Sequence, residues 1–294
     1  MAPSTCNNKG RPPTFVHIGG QRCGTTWMYS CLSEHPEIFM PEPKEIHYFD
    51  NNLDKGDEWY VQHFQPTESH TAWGEATPRY LHWGDDSVSV PWGQDGEPVP
   101  PRLAQLAPDC RLICCLRNPI ERAYSQWRWM NYNMEDNINF EEMVAENMYD
   151  CLTMGRYADH IKRYFDFFPK NQILIQIYKD VVNNNQGAVQ EAYDHLGVDS
   201  TYVPEEIGNA YNSVIFPKVQ KVIDNYGLEC IVKAVKSTAI GDWIRRRAQS
   251  QNRQNKYRKK ISPETRKYLN DYFSEQIEEA EKLIDDDLSH WKSY

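Results

Sequence analysis

Short apolar runs alternate along the chain with longer stretches in which apolar residues recur every three or four positions. The first run, Thr14–Ile18 (TFVHI), is ended by Gly19-Gly20. From Thr25 to Ser33 the spacing is helical, and it stops near His35-Pro36. Strand, glycine turn, helix is the opening unit of an α/β fold. Arg111–Leu116 (RLICCL) and Gln172–Tyr178 (QILIQIY) have the composition of strands buried on both faces, and Trp73–Ala76 is a shorter third such run. Helical spacing fills the intervals at 57–64, 101–106, 119–132, 156–168 and 186–196. A long amphipathic helix, Pro263–Ile284, closes the chain, with Tyr268, Leu269, Tyr272, Phe273 and Ile277 as its expected core stripe. The pattern predicts one α/β domain over residues 14–294, a central parallel sheet flanked by helices. Residues 1–13, polar and rich in Pro and Gly, read as a flexible tail. Residues 83–100 form a long loop rich in Gly, Pro and Asp.

Composition narrows the partners. Hydrophobic residues make up 40% and charged residues 25% of the 294, as in an ordinary soluble globular protein. A net charge of −10 repels nucleic acid, so no nucleic-acid partner is expected, and an anionic ligand needs a local basic site. Residues 245–260 (RRRAQSQNRQNKYRKK) supply one candidate, with no acid among them; a solvated charged loop is the competing reading. The eight cysteines form no C-x-x-C pair and no zinc-type spacing with histidine, so no metal is expected. No signal peptide opens the sequence and no apolar stretch reaches membrane-spanning length. The expectation is a reducing, cytoplasmic setting without membrane contact; an organellar protein trimmed of its targeting segment stays open. The sequence leaves the oligomeric state undetermined.

GGQRCGTT, Gly19 to Thr26, carries the first chemistry. Glycines let the backbone turn tightly and aim N–H groups inward, and the following helix adds the positive end of its dipole. Gly19, Gly24 and Thr26 match the nucleotide triphosphatase loop G-x-x-x-x-G-K-[ST], which makes the expected fold P-loop-NTPase-like. The lysine position holds Thr25, and the loop's only cation is Arg22. The loop is thus built for phosphate, with its charge placed differently from a triphosphatase.

Further segments follow in order: PKEIHYFD (Pro43–Asp50), GEATPRYL (Gly74–Leu81) and LRNPIERAYSQW (Leu116–Trp127). With RCGTT, they resemble the PAPS-dependent sulfotransferases, especially the branch of the heparan sulfate N- and 3-O-sulfotransferase domains and their bacterial and algal relatives. The resemblance covers most of residues 14–290. It implies PAPS as donor and PAP as product, with Gly20, Gln21, Arg22, Cys23, Gly24, Thr25 and Thr26 around the 5′-phosphosulfate. Arg117 and Ser125 then take the 3′-phosphate. It also implies Glu45 as general base with His47 beside it, and Arg22 as a catalytic cation. Arg253, Lys256, Tyr257 and Arg258 are candidates for a basic loop over the donor. Arg79 and Tyr80, with Glu45 and His47, are candidates for the acceptor side. The chain departs from the family's E-K-T-P-x-Y at Ala76, which stands at the lysine position; Arg79 is a candidate to replace that lysine. Gly155-Arg156-Tyr157 resembles a family G-x-Y element whose role the sequence does not give.

If Glu45 and His47 lie in an extended segment, they share one face. A carboxylate there can take the proton of an acceptor hydroxyl or amine. The acceptor is expected to be small and soluble, and the acidic pairs Asp85-Asp86 and Glu135-Asp136 weakly favour a cationic one. The rival reading is a P-loop kinase or nucleotide-binding protein, which needs a loop lysine and a metal-binding acid at a strand end. A non-catalytic relative and a Cys23-based enzyme are the further alternatives.

Overall fold

A computed structural model of the chain describes residues 10–83, 98–133, 138–207 and 261–292. Five parallel strands form one sheet: β1 Phe15–Gly19, β2 Ile38–Phe39, β3 Ala72–Glu75, β4 Arg111–Leu116 and β5 Ile173–Ile177. Their order is β2-β3-β1-β4-β5, with Val16 opposite Leu112 and Cys114 opposite Ile175. The helices of the described residues are α1 Thr25–Glu34, α2 Tyr48–Asn51, α3 Asp57–Val61, α4 Val99–Leu106, α5 Pro119–Asn133, α6 Phe140–Ala145, α7 Tyr157–Phe165, α8 Tyr178–Asn183, α9 Asn185–Leu196 and α10 Pro263–Ile284. The four apolar runs of the sequence are all strands. β2, two residues long, is too short to show a period.

Burial on both faces explains the continuous apolar runs. Leu112, Cys114 and Leu116 of β4 join one core with Val16 and Ile18, and Ile113 and Cys115 join a second core with Phe15. Helices α5, α7 and α10 cover the first face, through Ile120, Ala123, Ile161, Tyr164, Leu269 and Phe273. Helices α1 and α9 cover the other, through Trp27, Met28, Leu32, Val189 and Tyr193.

Helix α10 has the bounds its pattern implied, started by Ser262, whose side chain accepts from the Thr265 N–H, and by Pro263 at its first turn. Leu269, Phe273 and Ile277 are buried, but Tyr268 and Tyr272 are 49% and 37% exposed. The core stripe is narrower than expected, because it runs at every fourth residue and leaves the adjacent tyrosines on its solvent edge. The expected helix at 156–168 covers only Tyr157–Phe165, with a turn before Pro169, and that at 57–64 ends at Val61. Gly155 packs under α10: a Cβ there would stand 2.7 Å from the Phe273 ring. Tyr157, two residues on, is buried edge-to-face against Trp291. The G-x-Y element is therefore a packing joint. Of the expected tail only residues 10–13 are described, and they meet β3, where the Trp73 indole donates to the Pro12 carbonyl.

All strands point the same way, so their carboxyl ends share one edge. Strand β1 leads into the Gly19–Thr26 loop, β3 into Thr77, β4 into Arg117 and β5 into Tyr178. The neighbours of β1, β3 and β4, lie on its opposite sides. That is the switch point at which open α/β sheets bind ligands.

Candidate active site

The loop after β1 opens directly onto this edge. Gly24, the residue before α1, has φ 88°, a conformation suited to glycine. No side chain caps α1, and its first turn carries no acid. Its leading amides, including those of Thr25 and Thr26, thus lack the partners that capping supplies and form an anion cradle. Gly20 is used differently: its N–H donates to the Cys115 carbonyl at 2.8 Å and ties the loop to the sheet. Cys23 is buried, its thiol donates to the Gln21 carbonyl, and burial raises its pKa. That is the opposite of an activated nucleophile, which removes the Cys23 alternative. Thr25 is buried, whereas Thr26 is exposed.

Arg22 links the loop to the second anion candidate. Its Nε donates to Ser125 Oγ on α5 at 3.5 Å, and its guanidinium lies 5.7 Å from the Trp129 ring centre. Burial, and then the neighbouring Arg117, lowers its pKa. Two cations in this part of the site suit an anionic ligand. Arg117 leaves the end of β4 with its Nε 3.3 Å from Glu121 and its guanidinium 4.8 Å from the centre of the Tyr178 ring. A cleft of about 320 Å³ opens here, lined by Arg117, Asn118, Tyr178, Lys179, His290 and Trp291, among others. Tyr178 also packs on the loop, since a Cβ at Gly24 would meet its ring at 3.3 Å. Tyr178 thus stands between the loop and the cleft.

On the other side of the loop stands the acidic segment. Lys44 Nζ donates to Thr26 Oγ1 at 3.4 Å and to Glu45 Oε1 at 3.0 Å. His47 Nε2 lies 3.2 Å from Glu45 Oε2, and its Nδ1 is 2.8 Å from Asp50 Oδ2. Burial pulls the His47 imidazole down, but Asp50 and Glu45 outweigh it and push its pKa up to about 9. Burial raises the Glu45 carboxyl, and bonds and charge from His47 and Lys44 more than offset that, leaving its pKa lowered. At neutral pH Glu45 is a carboxylate between two cations.

Glu45 and His47 do meet, but not in an extended strand: His47 has φ 55° and starts α2. The cause is Glu75, fully buried at the end of β3. Its carboxylate accepts from Tyr60 Oη at 2.8 Å, Tyr80 Oη at 3.0 Å, the Ile46 N–H at 3.2 Å and the Thr77 hydroxyl. Thr77 Oγ1 in turn accepts from the His47 N–H, and Tyr80 Oη from the Tyr48 N–H at 2.8 Å. Burial raises the Glu75 carboxyl, opposed by these donors. One buried carboxylate thus folds the Glu45 segment against the sheet.

Two acceptor-side expectations change. Tyr80 is fully buried, so it is part of the wall behind Glu45 rather than a substrate contact. Arg79 is committed to α2: its Nε is 3.4 Å from Asp50, and its guanidinium lies 4.2 Å from the Trp83 ring centre. It is therefore a poor replacement for the lysine missing at Ala76. Arg253, Lys256, Tyr257 and Arg258, and the pairs Asp85-Asp86 and Glu135-Asp136, lie outside the described residues. Sequence reasoning missed Lys44, Asp50, Glu75, Thr77 and Tyr178. Asp50, three residues after His47 at a helix start, and Tyr178, at a strand end, had a local signal; Glu75 had none.

Among the described residues no group of three or more His, Cys, Asp or Glu is arranged to hold a metal ion, and no helix is long and apolar enough to cross a membrane.

The chain is similar to known proteins. Mouse bifunctional heparan sulfate N-deacetylase/N-sulfotransferase 4 is 32% identical over 213 residues, 65% of this chain and 23% of that protein. Human bifunctional heparan sulfate N-deacetylase/N-sulfotransferase 3 is 31% identical over 217 residues, again 23% of its length. The match thus spans less than a quarter of these relatives. The membrane-associated sulfotransferase kil1 of Dictyostelium discoideum is 32% identical over 143 residues, 46% of this chain and 28% of that protein. Among solved structures, a sulfotransferase from Alicyclobacillus acidocaldarius superposes with TM-score 0.68 at 22% identity, covering 96% of this chain and 99% of that one. A mouse sulfotransferase complexed with PAP superposes with TM-score 0.50 at 12% identity, covering 92% and 85%. At such identities the structures show the shared fold. The Sulfotransferase domain family matches residues 12–292, and the chain belongs to that family.

Proposed function

We propose that this sulfotransferase moves a sulfuryl group from PAPS to a hydroxyl or amine of a small soluble acceptor, with Glu45 as general base. One observation carries the reading: the carboxyl edge of the sheet brings together an uncapped phosphate loop, Arg22 bonded to Ser125, Arg117 at the end of β4, and a carboxylate beside the loop hydroxyl Thr26. Two cationic or amide-lined sites with a cleft of about 320 Å³ beside Arg117 and Tyr178 suit a nucleotide phosphorylated at both ends.

The residues fit that donor. The amides of Gly24, Thr25 and Thr26 would hold its 5′-phosphate, and Arg117 with Ser125 its 3′-phosphate. Tyr178 would line the nucleoside. When bound, PAPS supplies the activated sulfuryl group and a phosphate-bearing leaving group. Glu45, held by His47 and Lys44, takes the acceptor proton. The loop amides stabilise the charge that grows on the departing side, while Arg22, expected there as a catalytic cation, is turned toward Ser125 and the 3′-phosphate. His47, fixed by Asp50, keeps Glu45 oriented and ionised. Deacetylation, named for the heparan sulfate relatives, is no part of this proposal. The cytoplasmic setting is likewise a proposal, tested by fractionation of expressing cells.

The P-loop kinase reading is disfavoured by Thr25 at the lysine position and by Arg117 where β4 ends. Calorimetry decides between them: PAP should bind at micromolar concentration and ATP–Mg²⁺ far more weakly. Arg117→Ala should weaken PAP by about tenfold or more, the loss of a charge-assisted contact, while adenosine 5′-phosphosulfate, lacking the 3′-phosphate, changes little. Equal loss for both ligands removes Arg117 from the 3′ site.

A further inference from the structure

We infer that Lys44 is the cation that binds the transferring sulfonate, filling the role left open by Ala76. The inference rests on the PAPS reading above. It starts from position. The Lys44 ammonium bonds the outermost hydroxyl of the phosphate loop and one oxygen of the base. Among the described residues Lys44 alone bonds both Thr26 and Glu45. In-line transfer requires the donor's sulfur to pass between those two groups, because the loop holds the leaving side and Glu45 the attacking side. A reacting atom must come within about 3–3.5 Å of its nucleophile. An ammonium already within hydrogen-bond reach of both groups borders that space.

The backbone supports the placement. The Ala76 N–H donates to the Lys44 carbonyl, so the chain leaving β3 fixes where the Lys44 side chain begins. Ala76 is itself fully buried and has no polar side chain to offer. The other candidate cations are turned elsewhere. Arg22 reaches toward Ser125 and Trp129, and Arg79 is bound to Asp50 and stacked on Trp83. The Lys44 side chain is 17% exposed, enough for a ligand to displace its bond to Thr26.

During transfer Glu45 takes the proton from the acceptor X–H as the X–S bond forms. The S–O bond to PAP breaks, and its electron pair leaves on PAP. Lys44 keeps its three protons and holds a non-bridging sulfonate oxygen throughout. Its second bond, to Glu45, aligns the base with that oxygen.

The test compares PAPS with PAP, which lacks the sulfonate, by calorimetry on wild type, Lys44→Met and Lys44→Arg. Lys44→Met should bind PAP within about threefold of wild type and PAPS about tenfold more weakly, the loss of one charge-assisted hydrogen bond. Lys44→Arg should restore most of the PAPS preference. Release of sulfate from PAPS in water should slow in Lys44→Met and recover in Lys44→Arg. Unchanged PAPS affinity in Lys44→Met, or equal losses for PAPS and PAP, overturns the assignment. If wild type binds no PAP, the donor reading fails and the assignment with it; normal PAP binding with an unmoved PAPS-to-PAP ratio sinks the assignment alone.

Discussion

Removing one oxygen from Tyr80 tests whether the segment bearing the base is held from behind. Tyr80→Phe keeps the buried ring and its volume, so almost no cavity forms. It removes a donor to the Glu75 carboxylate at 3.0 Å and the acceptor for the Tyr48 N–H at 2.8 Å. A buried N–H left without its partner costs about 1–3 kcal/mol, and a hydrogen bond to an ionised carboxylate contributes about 1.5–3 kcal/mol. The two overlap, because they share one hydroxyl and Glu75 keeps three other donors. The net loss is about 2–4 kcal/mol. For 294 residues the unfolding entropy is about 0.6 kcal/mol per degree, so Tm should fall by about 3–6 °C. Differential scanning fluorimetry reads the shift, and calorimetry with PAP should show affinity within about twofold of wild type. A Tm within about 1 °C of wild type would refute the anchoring account. Unchanged Tm with weakened acceptor use would return Tyr80 to the substrate side.

Three further outcomes follow from the same geometry. Glu45→Gln should cut PAP release from PAPS, across a panel of hydroxyl and amine acceptors, by about 10²-fold or more while PAP affinity stays within about threefold; a large loss of PAP affinity would make Glu45 structural. His47, with its pKa raised to about 9 in the fold against 6.5, adds stability that is fully present below pH about 6.5 and lost as pH rises through 9. After discounting for partial exposure this is about 1–2 kcal/mol, so wild type should lose about 2–3 °C of Tm more than His47→Gln over that window; parallel curves would contradict it. Gly24→Ala places a Cβ at φ 88° and 3.3 Å from Tyr178, costing about 1–2 kcal/mol, so PAP affinity should fall about tenfold; unchanged affinity means the loop geometry is not limiting.

The sequence alone determined the pieces whose signal is local. Apolar runs buried on two faces marked Phe15–Gly19, Ala72–Glu75, Arg111–Leu116 and Ile173–Ile177 to within about one residue at each end. Glycines at fixed offsets marked the phosphate loop, and the resemblance to the sulfotransferases, rather than the residue types themselves, pointed to Glu45, Arg117 and Ser125. Tertiary structure decided the rest. Glu75, read from sequence, is an acid at the end of a short strand; only the approach of Tyr60, Tyr80, Thr77 and the Ile46 amide makes it the anchor of the base segment. Tyr80 looked like a contact because its motif is near the site, yet it faces inward. Lys44 gained its place because β3 and β1 are neighbours, which brings the Ala76 exit and the Thr26 hydroxyl to one lysine. The physical reason is range. Periodicity and turn chemistry act over a few residues, whereas the burial of a polar group and the partners that satisfy it are set only when the sheet assembles: Glu75 meets the Ile46 amide across 29 residues and Lys44 meets Thr26 across 18.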